Sequence, residues 1–222
     1  MNTLQLAEAK RFLLQEIGNS PYHFSLYKNS DDDDEDWDYD MMGGKENTTT
    51  YVFSTLSDKG KSPTRYFVTI KNYENGMEDP FPEIKNVEKY KNSDELPLLD
   101  VSFGAGQTID DTDVTGLTNK GEALRVMSTI MAIIKLEFKK NPNTQILAFM
   151  PAGLELKDKD EKEDDELGLT NTRGRVYLGY IKSEFRDGIN EGLVKIKIED
   201  YSEYIIKFDR DYLDEYLKSS KS

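Results

Sequence analysis

Residues 113–152, DVTGLTNKGEALRVMSTIMAIIKLEFKKNPNTQILAFMPA, restrict the fold more than any other stretch, because a start signal, a helical period and a stop signal agree there. Asn119 is placed to cap a helix, and Glu122, three residues on, can return the bond to the cap's own N–H. Ala123, Val126, Met127, Ile130, Ile133, Ile134 and Phe138 then recur at three and four, which puts them on one stripe facing a core. Lys139 and Lys140 sit where the negative end of the helix dipole favours cations, and Pro142 stops the helix. Residues 145–150 (QILAFM) follow as a short, nearly continuous apolar run, the pattern of a strand covered on both faces.

The rest of the chain supplies partners for this pair. Residues 3–17 read as an amphipathic docking helix ended by Gly18. Tyr22, Phe24 and Leu26 then alternate with His23, Ser25 and Tyr27 as a half-buried strand. Residues 49–56 and 64–71 are rich in β-branched and aromatic residues around the turn sequence SDKGKSP, and predict an antiparallel hairpin. Asn75-Gly76, Pro80 and Pro82 make residues 73–96 mainly turn and excursion, and 97–103 resumes as a strand. A helix over 172–185, strands over 193–198 and 204–208 and a short helix over 209–217 complete the chain. Two charged runs, DDDDEDWDYD at 31–40 and KDKDEKEDDE at 157–166, have too little to bury to fold alone, so acidic loop insertions are expected near 29–48 and 154–169. The expectation is one α+β domain over residues 1–222, with a single twisted, mostly antiparallel sheet flanked by helices.

Composition narrows the chemistry. The chain has no cysteine, which removes disulfides, thiolate catalysis and cysteine metal sites together. Its net charge of −14 opposes nucleic-acid binding, which depends on Lys and Arg displacing counterions from phosphates. No apolar run approaches the roughly 20 residues that span a bilayer, and the N-terminal stretch is not built as a secretion signal, so no membrane association is expected. Asp32, Asp34 and Asp36 imitate the opening of a calcium loop, but Trp37 stands where the turn needs Gly and the closing Glu is missing. No metal site is expected. His23, the single histidine, has no second histidine to join it and reads as a polar residue at a sheet edge.

The order of elements resembles the acyl-CoA N-acetyltransferase (GNAT) superfamily, where a hairpin is followed by a strand, a phosphate-binding loop, a long helix, a central strand and another helix. The family's loop carries Gln or Arg, two residues, Gly, one residue, then Gly or Ala. Here Thr118-Asn119-Lys120-Gly121-Glu122-Ala123 keeps Gly121 and Ala123 in register, while Thr118 replaces the basic or amide residue and Glu122 adds negative charge. The resemblance implies that Thr118, Asn119, Lys120, Gly121 and Ala123 would face the pyrophosphate of acetyl-CoA. In the family's second helix a Tyr seven residues after an Asn can protonate the departing thiolate. Counting from Asn171, that place holds Leu178, which leaves Tyr177 one residue early and Tyr180 two residues late as candidate acids. Where working members often carry a carboxylate base on the hairpin, the first hairpin strand offers Ser54 and Thr55.

A closer likeness is to small tailed-bacteriophage proteins of unassigned function with a GNAT-like shape. It rests on Val114-Thr115-Gly116, Gly121-Glu122-Ala123, the helix body 126–138 and Thr172-Arg173-Gly174-Arg175-Val176-Tyr177, and covers residues 98–187. It implies a phage-encoded binding, virion structural or assembly protein without catalysis, expected to need no cofactor. Its partners would be proteins, phage structural proteins among them, in the virion or the host cytoplasm. The alternative is an N-acetyltransferase using acetyl-CoA. A second alternative is an acidic DNA mimic that inhibits a host protein, which would require both acidic runs to present charge at phosphate-like spacing.

Overall fold

A computed structural model describes residues 21–27, 47–55, 63–106, 123–149, 172–198 and 203–219, with backbone alone at 47 and 172–176. Seven strands form one sheet: β1 (Phe24–Leu26), β2 (Asn47–Ser54), β3 (Arg65–Glu78), β4 (Glu95–Ala105), β5 (Ile146–Phe149), β6 (Val194–Ile198) and β7 (Tyr204–Phe208). Their order across the sheet is β1-β2-β3-β4-β5-β7-β6. β4 and β5 run parallel and the other neighbouring pairs are antiparallel. Four helices accompany them: α1 (Ala123–Lys140), α2 (Thr172–Glu184), α3 (Arg186–Asn190) and α4 (Arg210–Ser219). The single, mostly antiparallel sheet expected from the sequence is therefore present. The docking helix expected over 3–17, the Asn119 cap and both acidic runs lie outside the described residues.

The helices gather on one face of the sheet. Val126, Met127, Ile130, Ile133, Ile134 and Phe138 of α1, Tyr177 and Ile181 of α2, and Leu213 and Leu217 of α4 share one core with inward residues of six strands, from Tyr51 and Phe53 on β2 to Val194 on β6. The stripe read from the sequence is the buried stripe of α1. Two of its polar neighbours are buried as well, and both are satisfied. Thr129 donates to the Arg125 carbonyl at 2.8 Å and accepts the Tyr22 N–H at 2.8 Å, which ties the approach to β1 onto the helix. The Glu137 carboxylate accepts the Tyr51 hydroxyl, and Lys140 donates to both groups at 2.7 Å. Burial, then the hydrogen bond to Glu137, pushes the Tyr51 hydroxyl above its ordinary range.

The opposite face departs from expectation. Residues 73–96 read as turn and excursion, yet β3 runs on to Glu78 and β4 starts at Glu95, so the hairpin extends at both strands. The reason is tertiary cover. Leu96, Leu98, Ile146, Ala148 and Ile205 form a second core with Tyr90, against which Tyr73, Met77 and Val87 pack. Gly76 falls in the register shift between Tyr73 and Met77, where an added Cβ would lie 2.8 Å from Leu98 Cγ. The strand thus needs this glycine for close approach rather than for a turn.

A buried charge fastens the covering segment. Lys207 on β7 is fully buried and donates to Asp79 Oδ1 at 2.7 Å, Asp79 Oδ2 at 2.8 Å, the Phe81 carbonyl at 2.9 Å and the Ile84 carbonyl at 2.8 Å. Burial pushes the Asp79 carboxyl up, but hydrogen bonds from Lys207, the Phe81 N–H and Asn86 outweigh it and hold the group below the usual carboxylate range. Gln145 adds a second anchor, accepting the Val87 N–H at 2.7 Å and donating to the Lys85 carbonyl at 3.0 Å.

Candidate functional site

Antiparallel pairing brings the starts of some strands beside the ends of others, and one end of this sheet collects several polar groups. Arg65, which opens β3, pairs with Ser54 at the end of β2, and its carbonyl accepts the Gly106 N–H just beyond β4 at 3.1 Å. β4 and β5 point their carboxyl ends the same way, and in the described residues their pairing stops at Val101 and Phe149 while β4 continues to Ala105. The connection from β4 leads into α1, whose first turn carries Arg125. The carboxyl ends of adjacent parallel strands are where open α/β sheets most often hold ligands.

An open cavity of about 730 Å³ lies there, lined by Tyr22, His23, Ser25, Val52, Phe53, Ser54, Arg65 and Arg125. Tyr22 and Phe53 stack with ring centroids 5.9 Å apart. The Arg125 guanidinium carbon sits 4.1 Å from the Tyr22 ring centroid, and that of Arg65 lies 5.0 Å from the Phe67 centroid. Both cations are therefore positioned by aromatic faces. Among the described residues that line the cavity none is acidic, although the chain holds 43 Asp and Glu against 29 Lys and Arg.

The site expected from the sequence is only partly brought together. Thr118, Asn119, Lys120 and Gly121 lie outside the described residues, and Ala123 is the half-buried first residue of α1. Tyr177 is buried in the core with its ring edge-on to Phe103 of β4 at 5.7 Å, and Phe103 in turn stacks on Phe149 of β5 at 5.6 Å. Tyr180, one turn on, faces α1. Burial, with the charge of Glu184 added, pushes its hydroxyl up to about 12, and a hydrogen bond with Ser128 pulls the other way. Neither tyrosine lines the cavity. Glu184 itself is engaged, accepting the Tyr216 hydroxyl and pairing with Lys135 at 2.8 Å.

Sequence reasoning missed Arg65 and Arg125 as site residues. Two of the chain's seven arginines and its sole histidine converge on one cavity, but 60 positions separate the arginines and only the strand pairing joins them. Ser54 was noted as an uncharged hairpin residue, with no sign that it would face Arg65. Among the described residues no cluster of His, Cys, Asp and Glu could hold a metal ion, and no helix is long and apolar enough to cross a membrane. No protein-family model, curated protein or solved structure matches the chain.

Proposed function

We propose that this chain is a non-catalytic binding protein on a GNAT-like framework, encoded by a phage and acting through protein partners in the virion or the host cytoplasm, with no cofactor of its own. The framework reading is supported by the succession of hairpin, strand, long helix, central strand and helix, with β4 and β5 parallel about α1. The observation that carries the functional reading is the state of the two candidate acids. Tyr177 is spent on packing against Phe103, and Tyr180 is engaged between helices with a hydroxyl near 12, far above the range suited to proton transfer at neutral pH.

Acetyl transfer to a panel of amines, followed as release of the coenzyme A thiol, tests this directly. The chain has no cysteine, so every thiol in the assay comes from the cofactor. Release at the uncatalysed rate is expected. Release above it that falls by about 100-fold or more in Tyr177→Phe would overturn the reading, since general-acid catalysis contributes about that much.

N-acetyltransfer from acetyl-CoA is the second reading, and one observation favours it. Tyr177 lies against Phe103 on the part of β4 that outruns β5, at the carboxyl end of the parallel pair. The same assay separates the two readings.

A further inference from the structure

The cavity beside β1 is the receptive surface least explained by folding alone. Elsewhere among the described residues the buried charges are matched: Lys207 by Asp79 and two carbonyls, Glu137 by Tyr51 and Lys140, Glu184 by Lys135 and Tyr216. The cavity instead sets Arg65, Arg125 and His23 around one space with no acidic residue in its described lining. On a chain of net charge −14 that local excess of cations opposes the prevailing field, and it would attract a small anion that the rest of the surface repels.

We propose that this cavity is an anion-binding site for a small phosphate monoester, with the phosphate held by Arg65 and Arg125 and with His23, Ser25 and Ser54 as further donors. The number of donors selects the chemistry. One guanidinium fork satisfies a carboxylate, whereas two forks and two hydroxyls suit a doubly charged group with three terminal oxygens. Aromatic stacking contributes by fixing both guanidinium groups before the ligand arrives, which lowers the ordering cost of binding. Tyr22, Phe53 and Val52 offer an apolar wall to the body of the ligand. A volume of about 730 Å³ falls within the roughly 300–1,000 Å³ of small-molecule sites. The proposal rests on the cavity being a receptive surface and is independent of whether the protein transfers acyl groups.

Because the chain has one histidine, its imidazole C–H resonance reports on the cavity without assignment. The full-length protein, labelled at histidine, would be titrated with phenyl phosphate, inorganic phosphate and phenol. Saturable movement of the His23 signal with phenyl phosphate, absent with phenol, is the expected result. Arg65→Gln and Arg125→Gln should each weaken it by about tenfold or more. Arg65→Lys and Arg125→Lys, which keep the charge and lose the fork, should fall between, and they retain a readout if a Gln variant misfolds. Inorganic phosphate moving the signal would show that the anion alone is recognised, and supports the proposal. No saturable shift with phenyl phosphate at about 10 mM would overturn it, as would an equal response to phenol or binding unchanged in folded Arg65→Gln and Arg125→Gln.

Discussion

Replacing Lys207 by Met should destabilise the protein by about 3–4 kcal/mol. Breaking one side of a buried ion pair typically costs about 3–5 kcal/mol, because the remaining charge stays buried without its partner. Here the Lys207 side chain is 0% exposed and that of Asp79 14%, so water reaches Asp79 a little and the lower part of that range applies. The loss would leave Asp79 with the Phe81 N–H at 2.9 Å and Asn86 at 3.1 Å, and would strip a donor from the Phe81 and Ile84 carbonyls. In urea unfolding a slope of about 2–3 kcal/mol per molar converts this into a midpoint lower by about 1–2 M. Lys207→Met with Asp79→Leu should recover a large part of the loss, since a well-packed apolar pair often replaces a buried ion pair at little cost. Exchange of the Val87 N–H, bonded to Gln145, should quicken in the single variant. A loss below about 1 kcal/mol, or a double variant no better than the single one, would refute the view that this ion pair holds residues 79–90 on the sheet.

Three further outcomes follow from the same geometry. Asp79 has a folded-state pKa below its ordinary value, so its stabilisation is complete above the unfolded value of about 3.9 and disappears as pH falls through the folded one. Asp79→Asn should therefore flatten the acid limb of urea midpoints measured across that window. Gly188→Ala should cost about 1–3 kcal/mol by overpacking, because the new Cβ would lie 2.5 Å from Tyr212 Cζ and 2.6 Å from Val194 Cγ2; an unchanged thermal midpoint would contradict this. Tyr51→Phe removes the buried hydroxyl between Glu137 and Lys140 and should cost about 1–2 kcal/mol in urea unfolding.

Local signals carried most of the architecture. α1 and β5 were legible because periodicity, charge at the helix end and Pro142 all act within the segment itself. β2 and the first half of β3 were legible for the same reason, as β-branched and aromatic runs around a turn. The extension of β3 to Glu78 was not, since Asn75-Gly76 is a turn signal by propensity and only cover from Tyr90 and Val87 makes it strand. Nor does a sequence of this kind reveal Lys207 as buried. In YIIKF it reads as an outward residue of an alternating strand, and its partner Asp79 is 128 positions away. The cavity was hidden for a like reason, because Arg65 and Arg125 meet through strand pairing and the Arg125–Tyr22 stack, which no spacing encodes. Tyr177 and Tyr180 were found by motif, and the burial of Tyr177 and the interhelical contacts of Tyr180 appear only in the fold.

The most direct measurement is a calorimetric titration of the full-length protein with acetyl-CoA. A binding protein without a cofactor predicts no saturable heat at ligand concentrations up to about 1 mM. Micromolar binding that disappears in Gly121→Glu would contradict it, and would make the loop at 118–123 a cofactor site and the chain an N-acetyltransferase.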